Sequence, residues 1–224
     1  MIRTAVRLAI VAAAFSASCA QAQVGVTLDA GTTGVGGHLV VPLGAQVNAR
    51  FGAGYFSHNF EGSTDTIDYD IDGKLRTVDA LLDWFPSATS GFRLSAGVVY
   101  DGNKFDVVGR PSAGRYVING VSYAAADVGT LSGAIDYAKF APYLGIGFGG
   151  APASARGWGF AADLGAYYQG KGDSRLNSVG CGANVLICQA IARNVAVEQA
   201  RLAEQVSDIP KVYPVLRVAV SYRF

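Results

Sequence analysis

The sequence predicts an all-β chain folded as an eight-stranded antiparallel transmembrane β-barrel, with long extracellular loops and a short loop helix. Three observations carry this expectation. Apolar and polar residues alternate strictly in segment after segment. Charge is scarce, while glycine and aromatics are plentiful. No apolar run long enough to form a membrane helix occurs beyond the N-terminus. Of the 224 residues, 16% are charged, 11% are aromatic and 29 are glycine, whereas a soluble domain carries about 25% charged residues. A membrane helix needs about 20 consecutive apolar residues; a barrel strand instead turns every second residue to lipid. The net charge of +1 argues against a polyanionic partner, so nucleic acid is not expected.

The N-terminus reads as an export signal. Arg3 and Arg7 supply the positive region, residues 8–15 a short apolar core, and Ala20-Gln21-Ala22 a small-x-small cleavage site. Residues 1–22 are therefore expected to be a signal peptide and residues 23–224 the barrel. Cys19 offers a competing lipidation site, but Ser16-Ala17-Ser18 before it lacks the large aliphatic residue such sites carry. Removal of the signal leaves two cysteines, Cys181 and Cys188. A close, even pair in an exported chain suggests a disulfide closing a short loop.

The mature chain opens with a first hairpin, residues 24–28 and 35–43, although a single long strand would also cover this stretch. Next, Val47, Ala49, Phe51, Ala53 and Tyr55 alternate with Asn48, Arg50, Gly52 and Gly54. Val78, Ala80, Leu82 and Trp84 then oppose Asp79, Leu81 and Asp83, and Phe92 to Tyr100 oppose Arg93, Ser95 and Gly97. Leu144, Ile146 and Phe148 oppose Tyr143, Gly145 and Gly147; Trp158 to Tyr168 oppose Gly159, Ala161, Asp163 and Gly165. Period-two alternation puts each set on its own face. Aromatics at the ends of apolar sets suit the membrane interfaces. Short connections at residues 43–46, 86–91 and 149–157 alternate with long polar ones at 57–73, 102–133 and 170–211, the usual asymmetry between periplasmic turns and extracellular loops. Closure has a physical cause, because lipid leaves no solvent for an open sheet edge. Within the last loop, Ile191, Val195, Leu202 and Val206 recur at helical spacing, which predicts an amphipathic helix between residues 188 and 207, packed on or over the barrel mouth.

The final segment is the clearest. Leu216, Val218, Val220, Tyr222 and Phe224 share one face against Arg217, Ala219, Ser221 and Arg223. A terminal Val218-x-Val220-x-Tyr222-x-Phe224 behind a signal peptide resembles the last strand of the small bacterial outer-membrane barrels, the superfamily of the opacity proteins and the membrane domain of outer membrane protein A. The segment Leu81-Leu82-Asp83-Trp84-Phe85-Pro86 adds to the likeness. The resemblance implies location in the outer membrane, contact with its lipid and lipopolysaccharide, and recognition of the terminal segment by the barrel assembly machinery. It leaves function open, since members serve as structural barrels, adhesins, narrow pores or lipid-modifying enzymes. An extracellular partner reached through the loops is compatible with it, and no cofactor is implied.

The inward face gathers Arg50, Arg93, Arg217 and Arg223 against Asp79, Asp83 and Asp163, with His38 nearby. An eight-stranded barrel is about wide enough for its own side chains, so these charges are expected to pair. The favoured reading is a structural or surface-interaction barrel with a polar, side-chain-filled lumen; a narrow porin-like channel is the alternative. Two weaker patterns remain. Asp68, Asp70 and Asp72, followed by Gly73, match the opening of a calcium loop, but their flanks are strand-like, which favours a solvated acidic segment without metal. Gly172-Asp173-Ser174-Arg175-Leu176 faintly resembles an esterase nucleophile block with an interrupting Arg. Ser174 would need His58 as its base. A lipid-modifying enzyme is thus a third reading, and no enzymatic activity is expected.

Overall fold

The computed structural model describes residues 24–63, 67–87, 90–151, 155–207 and 210–224; for residues 60–63, 67–69 and 71 it describes the backbone alone. The expected signal peptide and Cys19 lie outside these residues. Strands β1 (Gly25–Gly31), β2 (Gly34–Pro42), β3 (Val47–Ser63), β4 (Ile67–Trp84) and β5 (Phe92–Asp101) follow one another up and down. Next come β6 (Lys104–Pro111), β7 (Arg115–Ile118), β8 (Val121–Ala124), the single-turn helix α1 (Ala125–Val128) and β9 (Thr130–Asp136). The chain then forms β10 (Phe140–Phe148), β11 (Gly157–Tyr168), β12 (Asp173–Val179), helix α2 (Val185–Ser207) and β13 (Val212–Arg223).

Eight of these strands close a ring, in the order β1-β2-β3-β4-β5-β10-β11-β13, and every neighbouring pair is antiparallel. β13 pairs back onto β1 from Gly25↔Arg223 to Gly31↔Arg217, so no edge is left open to lipid. The first hairpin is two strands joined at Thr32 and Thr33. It turns at Gly34, whose φ of +96° and close approach to the Tyr55 carbonyl admit no side chain. Alternation sorts the wall as the sequence implies. On β4, Val78, Leu82 and Trp84 point outward and are exposed, while Thr77, Asp79, Leu81 and Asp83 point inward and are buried.

The stretches read as polar loops hold more structure than their sequence suggests. β3 and β4 continue past the ring as a long hairpin, β6 adds to the upper half of β4, β9 pairs with β6, and β12 with β9. This extracellular sheet needs no lipid-facing side, so its strands lack the apolar alternation that marks the barrel. Its inner face continues the lumen side of β4 and carries a separate core of Tyr116, Ile118, Val128, Leu131, Ile191 and Val195. The Tyr116 hydroxyl donates to the Gly109 carbonyl at 2.9 Å, and burial pushes its phenol above the ordinary value. Helix α2 packs on this face and buries Ile191, Val195 and Val206. It starts earlier than the periodicity indicates because Asn184 Oδ1 accepts the Ile187 amide at 3.0 Å and caps the first turn.

Candidate functional site in the barrel lumen

Inward-facing charges meet in two tiers. In the one nearer the periplasm, Arg50 of β3 donates to Asp163 of β11 through both terminal nitrogens, at 2.8 and 3.2 Å. It also reaches Asp83 of β4 at 3.1 Å. Arg93 of β5 donates to the same Asp163 at 2.8 Å, and Ser95 donates to Asp83 at 2.6 Å. The second tier centres on His38 of β2. Its Nδ1 lies 2.7 Å from Asp29 and its Nε2 3.1 Å from Asp79. Arg217 of β13 joins Asp79 at 2.9 Å, Thr33 at 3.0 Å and His38 Nε2 at 3.2 Å. With Nδ1 donating to Asp29, Nε2 either donates to Asp79 or accepts from Arg217, so two protonation states fit one arrangement.

The tiers are flanked above and below. On the extracellular side, Val99, Ala141, Tyr143, Tyr167 and Val215 are all buried to 1% exposure or less. Tyr167 stacks on Tyr213, with centroids 4.9 Å apart, and accepts a hydrogen bond from Asn103 at 3.0 Å. Tyr143 has room for its hydroxyl only because Gly145 and Gly165 carry no Cβ; one built on either would overlap it. On the periplasmic side, the turn after β10 folds inward. The Gly150 carbonyl accepts from Asn48 at 3.0 Å and from Arg223 at 3.1 Å, and the Gly149 carbonyl accepts from Arg93. A cavity of about 90 Å³ remains there, lined in part by Asn48, Arg50, Asp83 and Arg93.

The structure thus brings Arg50, Asp83, Arg93 and Asp163 together, joins Asp79 to Arg217, and sets Arg223 at the periplasmic end. Asp29 is the charged member that sequence reasoning misses, because the legible alternation of the first strand ends at Leu28. Cys181, after β12, is bonded to Cys188 in the first turn of α2. Val218, Val220 and Phe224 face outward, and the Tyr222 ring packs edge-on against both Trp158 and Phe224. The acidic run lies in a strand, not a loop: Asp70 pairs with Arg110 and Asp72 with Lys74. Among the described residues, no three His, Cys, Asp or Glu side chains are grouped to hold a metal ion. Ser174 and His58 share one row of the extracellular sheet, Ser174–Ile135–Phe105–Gly73–His58. Four strand spacings separate them, roughly 19 Å, so the nucleophile–base pair considered from the sequence is not assembled.

No family model matches the sequence, and no curated protein matches it. Solved structures do. The crystal structure of Acinetobacter baumannii CarO aligns with a TM-score of 0.55 at 26% identity, covering 90% of this chain and 98% of that one. CarO2 from the same organism aligns with a TM-score of 0.57 at 23% identity, covering 91% and 100%. A major outer membrane protein from Thermus thermophilus shares the fold, with a TM-score of 0.50 at 16% identity over 91% and 100%. The closed ring of eight antiparallel strands and its apolar outer face give the chain the fold of the small bacterial outer-membrane β-barrels to which it is similar.

Proposed function

We propose that this protein is a non-conducting, structural outer-membrane barrel whose extracellular layer offers a surface to the outside. One observation carries the reading: ion pairs cross the lumen from wall to wall beneath the buried Tyr143–Tyr167 layer. A path for ions would require these pairs to part, leaving buried charges uncompensated at a cost of several kcal/mol each. The sheet of β4, β6, β9 and β12, with α2 laid on its inner face, supports the surface role, since it forms a packed unit with its own core. Planar-bilayer recording tests the proposal. The wild-type protein should give no discrete current steps. Steps from the wild-type protein would overturn the reading and favour a narrow channel, with the periplasmic arginine-lined cavity as its vestibule.

A further inference from the structure

We infer that the outer wall over β3, β4, β5 and β10 is a binding site for a phosphorylated glycolipid of the outer leaflet, of the lipid A class. The wall here is not uniformly filled. Ala53, Val78, Tyr100 and Phe140 form one row across the four strands, and Phe51, Ala80 and Val98 lie in the row below. Between the aromatic flanks, the two alanines leave an open depression of about 550 Å³. Phe140 is 72% exposed and packs edge-on against Tyr100 with centroids 5.4 Å apart, which builds one bank of the depression.

The upper end is cationic. Arg76 follows Val78 on the outward face of β4, and its guanidinium sits 5.7 Å from the centre of the Tyr55 ring. Among the described residues it meets that ring and no carboxylate. Lys139, next to Phe140, is exposed at the same rim, where it also interacts electrostatically with the Asp101 carboxylate. Height agrees with charge. From Trp84 at the periplasmic end of β4 to Arg76 is eight residue steps, ~26 Å along the strand and about 20 Å along the membrane normal at the usual tilt. Arg76 therefore stands near the upper edge of an apolar band about 25 Å tall, where the phosphates of the outer leaflet lie. An acyl chain in the depression puts its phosphate at the level of Arg76 and Lys139. Ring-held guanidinium suits phosphate, because it is pre-ordered and presents paired donors.

The site lies on the lipid face, so a conducting lumen would leave it standing. The test is native mass spectrometry of the refolded, lipid-free mature chain titrated with diphosphoryl lipid A, its dephosphorylated form and phosphatidylglycerol. Diphosphoryl lipid A should bind best. Arg76→Gln and Lys139→Gln should each weaken it about fivefold, Arg76→Lys should keep part of the affinity, and Ala80→Trp should displace it by filling the depression. Each variant is first checked for the unaltered mobility shift on boiling. Equal binding by the charge variants and wild type, or by the dephosphorylated lipid, would overturn the site; equal binding of phosphatidylglycerol would overturn the glycolipid assignment.

Discussion

Arg50 and Asp163 stand on opposite staves of the ring, four strands apart in either direction, and their side chains meet at 2.8 Å. Arg217 and Asp79 make a second crossing of the same kind at 2.9 Å, again between strands four apart. Neighbouring staves are already tied by backbone hydrogen bonds. A diametric pair instead fixes the cross-section, resisting the flattening that a ladder of neighbours permits. Both crossings rest on arginines that also hold a nearer partner, Asp83 for Arg50 and Thr33 for Arg217.

The first expected outcome concerns Asp163, which receives both Arg50 and Arg93. Asp163→Asn leaves two buried guanidinium groups short of a counter-charge, and breaking such pairs costs about 3–5 kcal/mol. The urea midpoint of the barrel in detergent should fall accordingly. Replacing Arg50, Arg93, Asp83 and Asp163 together by apolar residues should recover most of the loss, since the penalty comes from the charges left behind. A loss below about 1 kcal/mol for Asp163→Asn would show that the crossing does little.

Gly52 makes the His38 tier possible. A Cβ there would stand 2.0 Å from the imidazole ring, so Gly52→Ala must push His38 off Asp29 and Asp79. Overpacking of this kind costs about 1–3 kcal/mol. In a His38→Ala background the same substitution should cost little, and this non-additivity in a double-mutant cycle is the reading to make. Additive effects would mean that the glycine matters for the backbone and not for the ring.

Much of the barrel is legible in the sequence because lipid imposes a rule on every second residue of a spanning strand. Arg50, Asp83, Arg93, Asp163 and Arg217 fall on the inward face by parity alone. Asp29 escapes because a lone acid after Leu28 also reads as the start of a turn. Tyr143 and Tyr167 sit on the inward face by the same parity, yet nothing local separates a lumen-filling tyrosine from an interfacial one. The extracellular sheet is the least legible part. Its strands face water on one side and their own core on the other, and the pairing of β4 with β6, and of β9 with β12, joins segments that share no local signal.

The Cys181–Cys188 bond closes a short loop at the start of α2. Loop-closure entropy gives a bond over eight residues about 2.5 kcal/mol of local stabilisation. Reduction should therefore speed proteolytic cleavage between β12 and α2 by roughly one to two orders of magnitude, read by limited proteolysis of intact cells. The boiling shift of the barrel itself should not change, because the bond touches no spanning strand. A lost boiling shift would mean that the extracellular layer and the barrel unfold together.

The terminal segment invites a separation of folding from assembly. The Phe224 side chain is 58% exposed on the lipid face, and its amide is tied to the Val24 carbonyl at 3.1 Å through the backbone alone. Phe224→Ala should thus cost the finished barrel less than about 1 kcal/mol. If Val218, Val220, Tyr222 and Phe224 also serve the assembly machinery, the same variant should accumulate in cells as an unassembled chain. The purified variant, refolded from urea into detergent, should still show the normal mobility shift. Equal losses in both settings would assign Phe224 to stability, and no loss in either would remove its role in assembly.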